Sequence, residues 1–387
     1  MKLCFSLFLA FILSNCSTTQ VKPSEKSENL DVVELSKGLS NEKKEQIPIT
    51  EIISPASAFQ WQTFFKGTPN SKERPMLQES MKQLTNASTT EDLLKRGRNE
   101  AALGLLSAAE SSFRQALRKD SKNVDALLEL ASILQKQRRS AASFDVLAEA
   151  KNNLHSLERP DQSQVFRYRY TLALTYLMTG DRPKSHAILS DLIGKDRTFL
   201  PGYAALAFSY LKEGKDTVAR FIVEQALDRG GDHPALYNIL GILSERQGKP
   251  AVAKDLYNRA LGFNDSFAPA LVNRGNLYMG NGEFSMAEAD YKKALNADPG
   301  SADAMIGLGV ALRQTGRYSA AKDTFERALD LDADNPQARF NLAILMRENI
   351  KDEGQALRYF NEVTQSERAN QGLKSLARSA IEEIRSL

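Results

Sequence analysis

The chain has 387 residues, 42% of them apolar and 26% charged, with a formal net charge of only +3. That apolar content is enough for an extended packed body, and a charge this balanced excludes a dedicated nucleic-acid surface, which needs a concentrated basic patch. Two cysteines and three histidines leave little material for a disulfide framework or a metal cluster.

At the N-terminus, Lys2 precedes an apolar run from Leu3 to Leu13, too short to span a membrane comfortably, and Leu13-Ser14-Asn15-Cys16 follows at once. This arrangement resembles the lipobox of bacterial lipoproteins, with Asn15 standing where that box usually has Gly, Ala or Ser. The resemblance implies that residues 1–15 are a signal peptide and that Cys16 becomes the acylated first residue of the mature chain, carrying diacylglycerol on its thiol. Acyl chains that bury roughly 0.8 kcal/mol per methylene would make such an anchor effectively permanent. Ser17 occupies the place where lipoprotein sorting reads Asp as inner-membrane retention, so the expected location is the outer membrane, facing the periplasm. The alternative is an ordinary cleaved signal with a chance cysteine. On the lipoprotein reading Cys4 leaves with the signal and Cys16 is consumed by lipid, so no disulfide or redox thiol is expected.

Residues 16–89 read as the lipidated cysteine and a mostly disordered tether. Ser17 to Glu51 is rich in Ser, Lys, Glu and Thr with few apolar residues. The tether's end-to-end distance would be on the order of 45 Å by random-coil scaling. Residues 56–66 differ from the rest: Phe59, Trp61, Phe64 and Phe65 cluster there and include the only Trp of the chain. Three readings stay open for this segment, namely packing on the first repeat, docking on a partner, and occupation of the protein's own groove.

From residue 90 the pattern becomes periodic. Gly180, Gly214, Gly248, Gly282 and Gly316 stand 34 residues apart, the mark of a repeat array whose units must stack to bury their apolar faces. At fixed offsets after the glycines come Ala219, Ala253, Ala287 and Ala321, then Val223, Tyr257, Tyr291 and Phe325, then Ala226, Ala260, Ala294 and Ala328. Extending the register gives about eight repeats over residues 90–370. The first two are weaker, with Gly97, Gly104, Ala109, Phe113 and Ala116 in one, and Leu127, Leu130, Ala131, Leu134, Leu147 and Ala150 in the next. From Gly104 to Gly180 is two periods plus eight residues, and a loop inserted near 156–163, which contains Pro160, is expected to hold the excess. In the last repeat Ala356 and Phe360 come one residue late, which predicts a turn one residue longer. Residues 371–387 place Leu373, Leu376, Ala377, Ala380, Ile381 and Ile384 at helical spacing, as a capping helix requires.

The pattern resembles the tetratricopeptide repeat (TPR), most fully from Ala268 to Ser301, where Leu271, Gly275, Tyr278, Gly282, Phe284, Ala287, Tyr291, Ala294 and Pro299 match and Arg274 stands out of character. Gly275 and Ala287 should let two helices approach, Tyr291 should fill the space between repeats, and Pro299 should stop the second helix. The resemblance implies an all-α, right-handed superhelical solenoid of helix-turn-helix repeats whose inner helices line a concave groove. On the groove positions of the family stand Tyr170, Leu174, Met178, Phe208, Leu211, Ile242, Val272, Met279, Ile306, Val310, Phe340 and Ile344, interrupted by Asn238, Asn276, Arg246, Arg313 and Arg347. Such a mix suits a protein or peptide ligand that buries apolar area while Asn side chains fix its backbone. The family's carboxylate clamp is not matched, because Arg167 and Arg169 lack the accompanying asparagines.

No catalytic constellation stands out in the sequence. His155, His186 and His233 fall on different repeats without metal-ligand spacing, and no phosphate-cradling glycine loop occurs. The sequence thus predicts a protein that is not an enzyme and has no cofactor, metal, nucleic acid or small-molecule substrate. Its expected partners are envelope proteins or peptides, with membrane contact only through the N-terminal lipid. Lipoproteins of this kind resemble the pilotins of type IV pili and repeat lipoproteins of gliding machines; the alternative is an adaptor or regulatory subunit of a peptidoglycan or other envelope enzyme.

Overall fold

The computed structural model describes residues 69–386. The signal peptide, Cys16 and the aromatic segment 56–66 lie outside the described residues. Among the described residues all regular structure is helical, with 18 α-helices, a single π turn and no strand. They fall into two compact units that divide between Asp265 and Ser266.

The first unit opens with α1 (Glu73–Gln83), in a stretch expected to be tether, and continues as five helical hairpins. These are α2 (Thr90–Ala102) with α3 (Leu106–Lys119), α4 (Val124–Lys136) with α5 (Ser140–His155), α6 (Gln162–Thr179) with α7 (Arg182–Lys195), α8 (Leu200–Lys212) with α9 (Asp216–Leu227), and α10 (Pro234–Arg246) with α11 (Pro250–Phe263). The second unit holds α12 (Ala268–Gly280) with α13 (Phe284–Ala297), α14 (Ala302–Gln314) with α15 (Tyr318–Leu331), α16 (Pro336–Leu345) with α17 (Glu353–Gln365), and a closing helix α18 (Gln371–Arg385).

Each hairpin turns where the period places a glycine. The five periodic glycines and Gly104 all have positive φ, between 71° and 83°, a left-handed conformation in which a Cβ is strained. In α4–α5 the same place is held by Arg138 at φ 60°, and in α16–α17 by Lys351 at φ 66°. Prolines in the first turn of α7, α8, α10, α11, α12 and α16 preset the helical φ where no backbone donor is needed.

Close approach inside a hairpin follows from small residues facing rings. A Cβ built on Gly97 would meet Phe113 at 2.5 Å, one on Gly241 would meet Tyr257 at 2.3 Å, and one on Gly309 would meet Phe325 at 2.5 Å. Tyr291 is held from two sides, because Cβ atoms on Gly275 and Gly307 would reach its ring at 2.8 and 2.5 Å. The ring therefore wedges between one hairpin and the next, the packing expected of it. Its hydroxyl donates to Asn276 Oδ1 at 2.6 Å, and burial pushes the phenol's pKa upward. Ala109, Ala219, Ala253, Ala287 and Ala321 are fully buried, as are the alanines seven residues after each.

Two local departures correct the expected boundaries. The eight-residue excess is mostly helix: α5 runs 16 residues and α6 runs 18, against 14 and 13 in α11 and α12, and only residues 156–161 form loop. In the last hairpin the extra residue is absorbed as a π turn, Met346–Ile350, closed when Asp352 N donates to Met346 O at 2.9 Å. The closing helix α18 buries Leu373, Ala377, Ala380, Ile381 and Ile384 against the second unit's core.

Candidate partner-binding surface

The inner helices α6, α8 and α10 of the first unit present the expected groove positions unevenly. Met178 and Phe208, on the adjacent inner helices α6 and α8, are 41% and 43% exposed. Tyr170 and Leu174 on α6 are half-buried beside them. Tyr170 rests edge-on against Phe199 at 5.0 Å, and burial pushes its hydroxyl pKa upward. Lys212 on α8 sits over the Phe208 ring at 5.2 Å. The result is an apolar face with a cation at its rim.

Many other expected groove residues face the core. Leu211, Asn238 and Ile242 are buried in the first unit, and Met279, Val310, Arg313, Phe340 and Ile344 are buried in the second. Met279, Val310, Phe340 and Ile344 belong to one buried apolar cluster, with Val272 and Ile306 packed half-buried against it. These side chains fill the space between neighbouring helices, so they offer a ligand little area. Asn276 is half-buried and is engaged by Tyr291.

The cations on the inner helices are engaged as well. Buried Arg167 is bracketed by Asp125 and by Glu129 at 3.0 Å, while Arg98 reaches the same Glu129 at 2.8 Å. Buried Arg169 pairs with Asp191. Taking two guanidinium groups out of water is costly unless each is matched, so these acids are structural partners, and no carboxylate clamp is formed from this pair. Arg313 on α14 pairs with Glu348 at 2.9 Å and Arg347 in the π turn with Glu383 at 2.7 Å, each a tie to a later element of the second unit. Arg246 donates to Leu211 O at 3.1 Å and pairs with Asp216. Arg274, out of character for its position, makes a bidentate bond to Asp290 at 2.7 and 2.8 Å.

The histidines do not converge. His233 caps α10, its Nδ1 accepting from Ala235 N at 3.2 Å. His186 lies 2.8 Å from Ser209 Oγ and 4.4 Å from the Tyr210 ring; burial, with Lys215 and Arg182 nearby, lowers its pKa to about 4. Among the described residues no group of three or more His, Cys, Asp or Glu is placed to hold a metal ion. No helix among them is long and apolar enough to cross a membrane.

Two features escaped sequence reasoning. Phe263, at the end of α11, is 45% exposed and stacks on Tyr237 at 5.4 Å and 11°, with the Arg259 guanidinium 4.4 Å from the Tyr237 ring. Ser71, just ahead of α1, donates its backbone N–H to Asp265 Oδ1 at 2.9 Å and its hydroxyl to the other carboxylate oxygen. Neither lies at a repeat position that the period marks, and the second joins residues 194 apart.

The sequence profile of the tetratricopeptide repeat matches residues 94–154, 204–269, 272–336 and 313–372. With more than half of the chain matched, the protein belongs to the tetratricopeptide repeat family, and its repeats are a scaffold for protein–protein interaction. Among solved structures, the crystal structure of the APC/C hetero-tetramer Cut9-Hcn1 is similar with a TM-score of 0.58 at 17% identity over 81% of this chain. The present chain covers 60% of that one's length. Pseudomonas aeruginosa PilF gives a TM-score of 0.41 at 20% identity, over 48% of this chain and 87% of its own. PilW, a type IV pilus biogenesis factor, gives 0.45 at 20% identity, over 55% and 98%. No curated protein matches the sequence.

Proposed function

We propose that the protein is a non-enzymatic adaptor, held by lipid at Cys16 on the periplasmic face of a bacterial outer membrane, that uses its first repeat unit to bind a protein or peptide segment and so help assemble an envelope machine such as a type IV pilus secretin or a gliding complex. The observation that carries the binding role is the exposure of Met178 and Phe208 on neighbouring inner helices, since large apolar side chains left in water on one face mark a contact surface. The anchoring is supported by the apolar run ending in Leu13-Ser14-Asn15-Cys16. The repeats account for almost the whole described chain and leave no segment for a separate catalytic domain among those residues.

Substituting Cys16→Ala in cells tests the anchor. The expected result is release of the protein from the membrane fraction together with loss of the phenotype it supports. Full function from the released form would contradict the anchored reading.

A further inference from the structure

We propose that the aromatic segment Phe59–Phe65 docks within its own chain on the Phe263 face of the first unit, with Ser71 and Asp265 as the clasp that delivers it there. The proposal does not depend on the partner or the membrane assigned above.

The described chain begins at the clasp. Ser71 gives Asp265 two hydrogen bonds, one from its backbone and one from its hydroxyl, and the turn around it is fixed locally. Lys72 N and Glu73 N both donate to Asn70 Oδ1 at 3.0 Å, and Asn70 N donates back to Glu73 Oε2 at 2.9 Å. The other end of α1 is tied to the first hairpin, where Asn99 Nδ2 donates to Ser80 Oγ at 3.0 Å. Yet α1 buries none of its residues, and Met76 is 72% exposed. A helix this short is marginal in water, and its apolar contact is narrow, with Leu77 and Met81 half-buried and Leu84 buried at its end, so further apolar contact from the same stretch of chain would add to its order.

The preceding residues can supply it. Phe65 is six residues before Ser71, a span of at most about 20 Å when fully extended. Phe263 is two residues before Asp265, so the clasp sets a short aromatic-rich segment beside an exposed ring already stacked on Tyr237. Rings of Phe59, Trp61, Phe64 or Phe65 can extend that stack by offset or edge-on contact. Because the clasp makes the encounter intramolecular, this occupant has a large effective-concentration advantage over a free partner or a second copy.

Trp61 is the only tryptophan of the chain, so its fluorescence reads the segment directly in the full-length protein. The expected result is blue-shifted emission, protected from acrylamide relative to a free peptide of residues 55–67 and independent of protein concentration. Phe263→Ser and Asp265→Ala should each shift emission and quenching toward the peptide values with helical circular dichroism retained, whereas Phe208→Ser should leave them unchanged. Peptide-like emission in the unsubstituted protein would overturn the proposal. So would protection that neither Phe263→Ser nor Asp265→Ala alters, or protection that grows with concentration, which would indicate a second copy as the occupant. Should either substitution reduce helicity, a photo-crosslinker at position 263 decides the matter: a link to residues 59–65 of the same chain supports docking, and its absence refutes it.

Discussion

The second unit spends its inner-helix face on packing, whereas the first leaves part of that face in water. In residues 266–386 one buried cluster runs from Met279 to Ile384 and takes in the expected groove positions Met279, Val310, Phe340 and Ile344, with Val272 and Ile306 packed against it. In residues 69–265 a lengthened hairpin, an arginine at a turn, buried guanidinium pairs and an unburied leading helix interrupt the pattern. The repeat profile passes over residues 155–203, where α6 and α7 lie. The inner-helix residues left exposed, Met178 and Phe208, are in this less regular unit. Met178 lies in the stretch the profile passes over and Phe208 in a matched one, so exposure here follows from how neighbouring hairpins stack and not from loss of the period alone.

The largest effect should come from breaking the second unit's packing. Tyr291→Ala empties a wedge held between Gly275 and Gly307, and should cost about 3–5 kcal/mol, measured by urea unfolding. Smaller and conditional is Glu245, whose carboxyl is pushed by burial from 4.5 to about 7, partly offset by the Tyr257 hydroxyl. The folded state holds this proton more tightly than the unfolded one, so the contribution to stability is full below pH 4.5 and is lost as pH rises to about 7. Glu245→Gln should therefore stabilise the protein by about 2 kcal/mol at pH 8 and by almost nothing at pH 4, seen as a flatter profile of melting temperature against pH. Arg138→Gly restores the turn residue that the period calls for and should add about 1 kcal/mol, because the left-handed conformation no longer carries a Cβ. Phe208→Ala should change stability by no more than about 0.5 kcal/mol, as for an exposed site, while weakening partner capture.

Much of this fold is legible in the sequence because the turn, the small residue and the ring recur with one spacing. Gly282, Ala287, Tyr291 and Ala294 each do in space what their positions imply. The extra residues before Gly180 were less legible, since Pro160 marks a break without telling how much of the insertion becomes helix. Groove positions failed as a guide to exposure for a physical reason: the same inner-helix face must contact the next hairpin, and Val310, Phe340 and Ile344 are consumed by that stacking. The Ser71–Asp265 clasp lies beyond any periodic argument, because the contact depends on how the first unit curves and not on local spacing.

The most direct test of a working surface confined to the first unit is photo-crosslinking in cells, with the reactive amino acid placed at Met178 and Phe208 and, for contrast, at Val310 and Ile344. The expected result is that one envelope protein is captured at both exposed positions and none at the two buried ones. Capture confined to the second unit, or no capture at Met178 and Phe208, would contradict it.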